Sequence, residues 1–177
     1  MKNYQKNWRN AILTVCLAVT IFPLSLRGQG SVTDFSGSWI YNAEKSNTGQ
    51  AAGQGQGRGG FSAGDFSVKQ EGNLLTVERT RTNPEGQSST TIMKYTLDGK
   101  ESNNSTGRGT SKSIASWSAD GKILTIKSTR SLERNGETVT MNSTDVWSMP
   151  DKNTVTIVST SSSPNGDRTI TTVYNKK

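Results

Sequence analysis

The chain has no histidine, a single cysteine and four prolines, and hydrophobic residues fill only 30% of its 177 positions. Each shortage removes a class of chemistry. Without imidazole there is no Ser-His or Cys-His nucleophile and no histidine-ligated zinc. The lean apolar content must serve one modest core, and the length suits one domain. Beyond the N-terminus no stretch shows a convincing 3.6-residue period, so helix is minor at most.

Residues 1–30 form a separate object. Lys2, Lys6 and Arg9 precede an apolar run from Ala11 to Leu26, and Gly28-Gln29-Gly30 follows it. A basic head, a short greasy middle and small residues at the cut are the layout of a secretory signal peptide. The run falls short of the ~20 residues of a spanning helix, and Pro23 interrupts it; a retained anchor is the alternative reading. Cleavage is expected after Gly28 or Gly30, which also removes Cys16, so secretion or a periplasmic location poses no thiol problem. This segment carries four of the 21 basic residues and no acid, leaving 17 against 14 and a net charge of +3 on residues 31–177. The case for a nucleic-acid or anionic-membrane partner loses its main support with it.

Residues 31–177 hold only 23 Leu, Ile, Val or Phe in 147 positions, against 43 Ser or Thr, of which 21 are β-branched Thr. The low net charge argues against disorder, and the Thr content suits strands with one buried and one wet face. Alternating runs near 36–42, 65–70, 74–82, 87–97, 100–106, 111–118, 122–133, 137–148, 154–162 and 168–175 read as strands. Between them stand turn signals such as Asp98-Gly99, Asp120-Gly121, Asn135-Gly136 and Asn165-Gly166, whose residues tolerate the positive φ of tight hairpins. Three segments, beginning at Leu74, Ile123 and Thr154, repeat one hairpin pattern.

The turns fix directions. A two-residue loop at Asn135-Gly136 places Arg134 opposite Glu137, Leu132 opposite Val139, Arg130 opposite Met141, Ile126 opposite Asp145 and Leu124 opposite Trp147. A turn at Asn83-Pro84-Glu85-Gly86 places Leu75 opposite Tyr95 and Val77 opposite Met93, with Arg79 and Arg81 continuing that face. In the third hairpin Ile157 and Tyr174 compete with Val158 and Val173 for the inside. Alternating the strands up and down gathers the short turns at one, closed end, where Trp39 starts the first strand. The Gly-rich insert and the arginines gather at the other end, the natural mouth.

The segment DFSGSWIYN, with Gly37 and Trp39, resembles the Gly-x-Trp opening of lipocalin-type (calycin) barrels, and Thr144-Asp145 before Trp147 resembles that family's second signature. The cadence of the whole is similar to exported lipocalin-like bacterial proteins. The resemblance implies an all-β, antiparallel up-and-down barrel of about eight to ten strands, with Gly37 and Trp39 at its floor and a small apolar ligand inside. Ten strands exceed the lipocalin eight, so a fatty-acid-binding type of barrel or a sandwich stays open.

Gly55-Gln56-Gly57-Arg58-Gly59-Gly60 matches Gly-x-Gly-x-x-Gly, but it follows no strand and opens no helix, so a flexible Gly/Gln-rich loop over 45–64 is the reading. Asp98, Asp120 and Asp151 sit in turns whose chemistry explains them, without calcium-loop spacing. The aromatics Trp39, Trp117, Trp147, Tyr95 and Tyr174 suit a core better than a stacking platform. Arg79, Arg81 and Arg130 extend apolar faces towards the mouth. With Tyr95, Trp147, Met93, Met141 and Asp145 they are the expected ligand-binding residues.

The expected function is therefore a secreted or periplasmic, non-enzymatic and monomeric binding protein for a small apolar or amphipathic molecule. It is expected to use no cofactor or metal and to have no membrane span after cleavage. The alternative is a structural or interaction module of the cell envelope whose barrel is filled by its own side chains.

Overall fold

A computed structural model describes residues 31–48, 64–82, 86–105, 109–134, 136–163 and 166–177. Ten strands follow one another: β1 Gly37–Asn47, β2 Phe66–Glu71, β3 Leu74–Thr82, β4 Ser88–Thr96, β5 Glu101–Ser105, β6 Gly109–Trp117, β7 Ile123–Arg134, β8 Glu137–Asp151, β9 Thr154–Ser163 and β10 Gly166–Lys176. All pairings are antiparallel, in one sheet of order β4-β3-β2-β1-β10-β9-β8-β7-β6-β5. A single up-and-down sheet curled into a nearly closed barrel excludes the sandwich, and its ten strands exceed the lipocalin eight. No helix among the described residues is long and apolar enough to cross a membrane. The proposed signal segment, 1–30, and the Gly-x-Gly-x-x-Gly stretch lie outside the described residues.

The hairpin registers follow from the turns. In β7 and β8, Arg134, Leu132, Arg130, Ile126 and Leu124 face Glu137, Val139, Met141, Asp145 and Trp147. In β3 and β4, Leu75 faces Tyr95 and Val77 faces Met93. In the third hairpin Ile157 and Tyr174 occupy the inside. Val173 is covered too, from outside, where β1 bulges between Asn42 and Asn47 and Ser46 Oγ accepts the Val173 amide at 2.9 Å. This bulge carries β1 on to Asn47, so the loop after it begins later than the sequence suggested.

The inward positions form one core: Trp39, Phe66, Val68, Leu75, Val77, Tyr95, Leu124, Ile126, Trp147, Val155, Ile157 and Tyr174 are all buried. At about 1.5–3 kcal/mol for each large side chain buried, such a set offsets a sequence otherwise poor in apolar residues.

The closed end is sealed by residues 31–36. The Thr33 amide donates to Gly121 O at 2.9 Å, and Gln70 holds the segment with both ends of its side-chain amide: Nε2 donates to Thr33 O at 3.1 Å and Oε1 accepts the Phe35 amide at 3.2 Å. Phe35 is thereby driven inside, stacked on Trp117 at 5.9 Å and edge-on to Trp147 at 5.6 Å. Trp39 is fully buried beside it and donates its indole N–H to Phe35 O at 2.9 Å. Gly37 has φ 145°, a backbone conformation that residues with a side chain rarely adopt, so this position at the floor favours glycine.

β4 and β5 are the two ends of the sheet, and side chains join them. Asn104 accepts the Lys94 amide at 2.8 Å and donates to Lys94 O at 2.9 Å; Ser102 Oγ accepts the Thr96 amide at 2.8 Å. An amide side chain here imitates a backbone ladder, satisfying groups that an open edge would leave bare. Asn104→Ala is expected to cost about 1–3 kcal/mol in urea unfolding, because both Lys94 backbone groups lose partners. An unchanged midpoint would mean that water replaces the amide without loss.

Candidate functional site

Three strands run the same gradient from floor to mouth. Along β3 the inward residues are Leu75 and Val77, buried, then Arg79, half-buried, then Arg81, exposed. Along β7 they are Leu124 and Ile126, buried, then Ser128 and Arg130, both half-buried. Along β10, Tyr174, Thr172 and Ile170 are buried and Arg168 is exposed, its Nη2 donating to Thr48 O at 2.7 Å. The period of two carries each apolar face into an arginine because each strand outruns the core.

Arg79 is held by its neighbours. Its guanidinium lies 4.4 Å from the Phe66 ring centroid, a cation–π contact, and Nη1 donates to Gly64 O at 3.3 Å. Phe66 in turn meets Tyr174 at 4.6 Å and Trp147 at 5.6 Å, so the arginine rests on the aromatic floor cluster.

Asp145 faces inward from β8, opposite Ile126 on one side and Ser159 on the other. Its Oδ1 is buried without a hydrogen-bond partner among the described residues. Burial lifts its carboxyl above the ordinary value of 3.8; Ser159, Arg79 and Arg130 pull the other way without cancelling it. Ser159 acts across the strand pair without a well-formed hydrogen bond, its hydroxyl being itself unpartnered. The Tyr95 hydroxyl is pushed up to about 12, by burial first and by Asp145 second, against the same two arginines. Tyr95, Asp145, Arg79 and Arg130 therefore share one field inside the barrel.

The other expected residues divide. Met93 is half-buried on the β4 wall and Met141 half-buried opposite Arg130. Trp147 belongs to the floor, wedged between Phe35 and Phe66. Arg81 does not reach the interior: it keeps the inward register but is exposed at the rim, where β3 has left the core behind. Asp98, Asp120 and Asp151 lie at the opposite end, each accepting the amide two residues on, from Lys100, Lys122 and Asn153. Their carboxyls sit below the ordinary range, Asp98 at about 2, held there chiefly by hydrogen bonding to Lys100. Turn chemistry accounts for all three.

Sequence reasoning missed Arg168 and Ser159. Counting inward positions from Tyr174 and Ile157 reaches both, once those two residues are known to face inside.

The raised Asp145 carboxyl has a consequence for stability. A carboxyl whose folded value exceeds 3.8 binds more protons folded than unfolded, so stability falls as pH rises from 3.8 through the folded value. Asp145→Asn is expected to resist urea better than the parent at neutral pH, with the difference closing below pH 3.8. A variant weaker at neutral pH would show instead that the ionised carboxylate stabilises the barrel through its arginines.

No protein-family model matches the sequence, and no curated protein sequence matches it significantly. Among solved structures, the zebrafish ileal bile acid-binding protein in complex with cholic acid is similar, with a TM-score of 0.50. That match covers 81% of this chain and 98% of the other at 18% identity. The likeness is one of fold: this chain is a calycin-like β-barrel.

Proposed function

We propose that the barrel binds a small amphipathic molecule without transforming it. The apolar body rests against Leu75, Val77, Leu124 and Ile126, and the anionic head meets Arg79 and Arg130 below a rim carrying Arg81 and Arg168. The observation that carries this reading is the repeated gradient on β3, β7 and β10 from buried apolar residues to arginine. It is supported by the similar zebrafish barrel, whose structure holds cholic acid, itself an acid on an apolar body. A chain without histidine, and without cysteine once the leader is removed, also lacks the usual nucleophile pairs. Export rests on the signal-like layout of residues 1–30.

Native mass spectrometry of protein purified from its own host tests both parts. The expected species carries a co-purified acidic amphiphile and starts at residues 29–31. A bare protein would favour the second reading, an envelope module filled by its own side chains. That reading has one observation behind it: Phe35, Phe66, Trp147 and Tyr174 already pack edge-on in the lower half. Retention of Met1 would overturn cleavage.

A further inference from the structure

Three polar atoms of the barrel interior, Asp145 Oδ1, Trp147 Nε1 and Ser159 Oγ, are buried with no hydrogen-bond partner among the described residues. The side chains lie together on the inner face of β8 and β9. Asp145 is directly opposite Ser159, and Trp147 stands on the next inward rung, opposite Ile157. Trp147 is only 4% exposed and Ser159 only 2%. Buried polar groups are nearly always paired, because losing water without a substitute is unfavourable, and three orphans on adjacent rungs of one face are unusual.

Their chemistry selects a partner. An indole N–H can only donate, a carboxylate oxygen accepts, and a serine hydroxyl does either. A carbonyl on the ligand would serve Asp145 only when its carboxyl is protonated, and an ammonium would offer nothing to the indole, itself a donor. A hydroxyl, one donor and two lone pairs, serves all three kinds of group. Its setting is apolar, since Ile126 faces Asp145 and Leu124 faces Trp147 across β7. Asp145 also lies four residues below Met141, the partner of Arg130, about 13 Å along the strand before the arginine's own reach is subtracted. A group docked there lies deeper in the barrel than the head, against the body of the ligand.

We infer that the Asp145, Ser159 and Trp147 face is a hydroxyl-docking subsite, and that the ligand is a hydroxylated amphiphilic acid. The inference rests on the amphiphile-binding reading above and specifies its ligand class.

Calorimetric titration of the purified protein with two probes tests it: a saturated long-chain acid and the same acid carrying one mid-chain hydroxyl. The hydroxylated acid is expected to bind about tenfold more tightly or better, the worth of a buried hydrogen bond. Ser159→Ala and Trp147→Phe should each shrink that preference several-fold, and Ser159→Ala should leave the plain acid's affinity unchanged. Ser159→Ala removes one small atom group and remains informative where Trp147→Phe disturbs the floor. Equal affinity for the two acids would overturn the subsite while leaving acid binding intact, assigning the orphan atoms to internal water. A preference that survives both substitutions would overturn the assignment of residues. Failure of both acids to bind would remove the amphiphile reading, and the subsite with it.

Discussion

Trp39→Ala is expected to destabilise the barrel by about 3–5 kcal/mol in urea unfolding, as for other large aromatic deletions from cores. Trp39 is fully buried, and its indole N–H is the partner of the Phe35 carbonyl. Truncation opens a cavity at the closed end and orphans that carbonyl. It also frees the segment that seats Phe35 against Trp117 and Trp147. Against a typical domain stability of about 5–15 kcal/mol, this is a large share, and a core so thin in aliphatic residues has little to replace it. Trp39→Phe keeps most of the volume and loses the hydrogen bond, so a smaller loss of about 1–2 kcal/mol is expected. A loss below about 1 kcal/mol for Trp39→Ala would mean that Phe35 alone seals the floor.

That floor marks where sequence reading stops. Trp39 was legible because it opens a strand beside a glycine. Phe35 was not, since its place is set by Gly121 and Gln70, distant in sequence and outside any periodic run. Within hairpins the opposite holds. A two-residue loop at Asn135-Gly136 and a side-chain period of two determine every pair from Arg134–Glu137 to Leu124–Trp147. The third hairpin was ambiguous because Val173 is buried under the β1 bulge as well as Tyr174 inside, so hydrophobicity alone could not choose a face. That ambiguity hid Ser159 and Arg168. The seam was hidden for another reason. Ser102 and Asn104 alternate like any inward pair, and nothing local says that they bond to backbone across a gap. Of the site, the arginine faces were legible from register. The depth at which burial ends, which leaves Arg79 and Arg130 half inside and Arg81 out, depended on how the barrel closes.

The second large effect concerns those arginines. Arg79→Ala and Arg130→Ala are each expected to weaken binding of a long-chain acid by about 10-fold to about 100-fold, since a charge-assisted hydrogen bond contributes about 1.5–3 kcal/mol. Binding of the matching alcohol should change little. Arg79 also packs on Phe66, so its truncation removes some stability through lost contact. Arg79→Met keeps an apolar stem over the ring and isolates the charge. Arg81→Ala, at the rim, should have a much smaller effect on either probe. If Arg81→Ala weakens acid binding as much as Arg130→Ala, the head binds at the surface and the interior gradient is irrelevant to it.

The most direct test of the account is the affinity of the unaltered protein for a fluorescent fatty-acid analogue beside that for the corresponding alcohol. Saturable binding of both is expected, with the acid favoured by about tenfold or more. Equal affinities would contradict the arginine-held head, and no binding of either would contradict a ligand-binding barrel and leave the self-filled module.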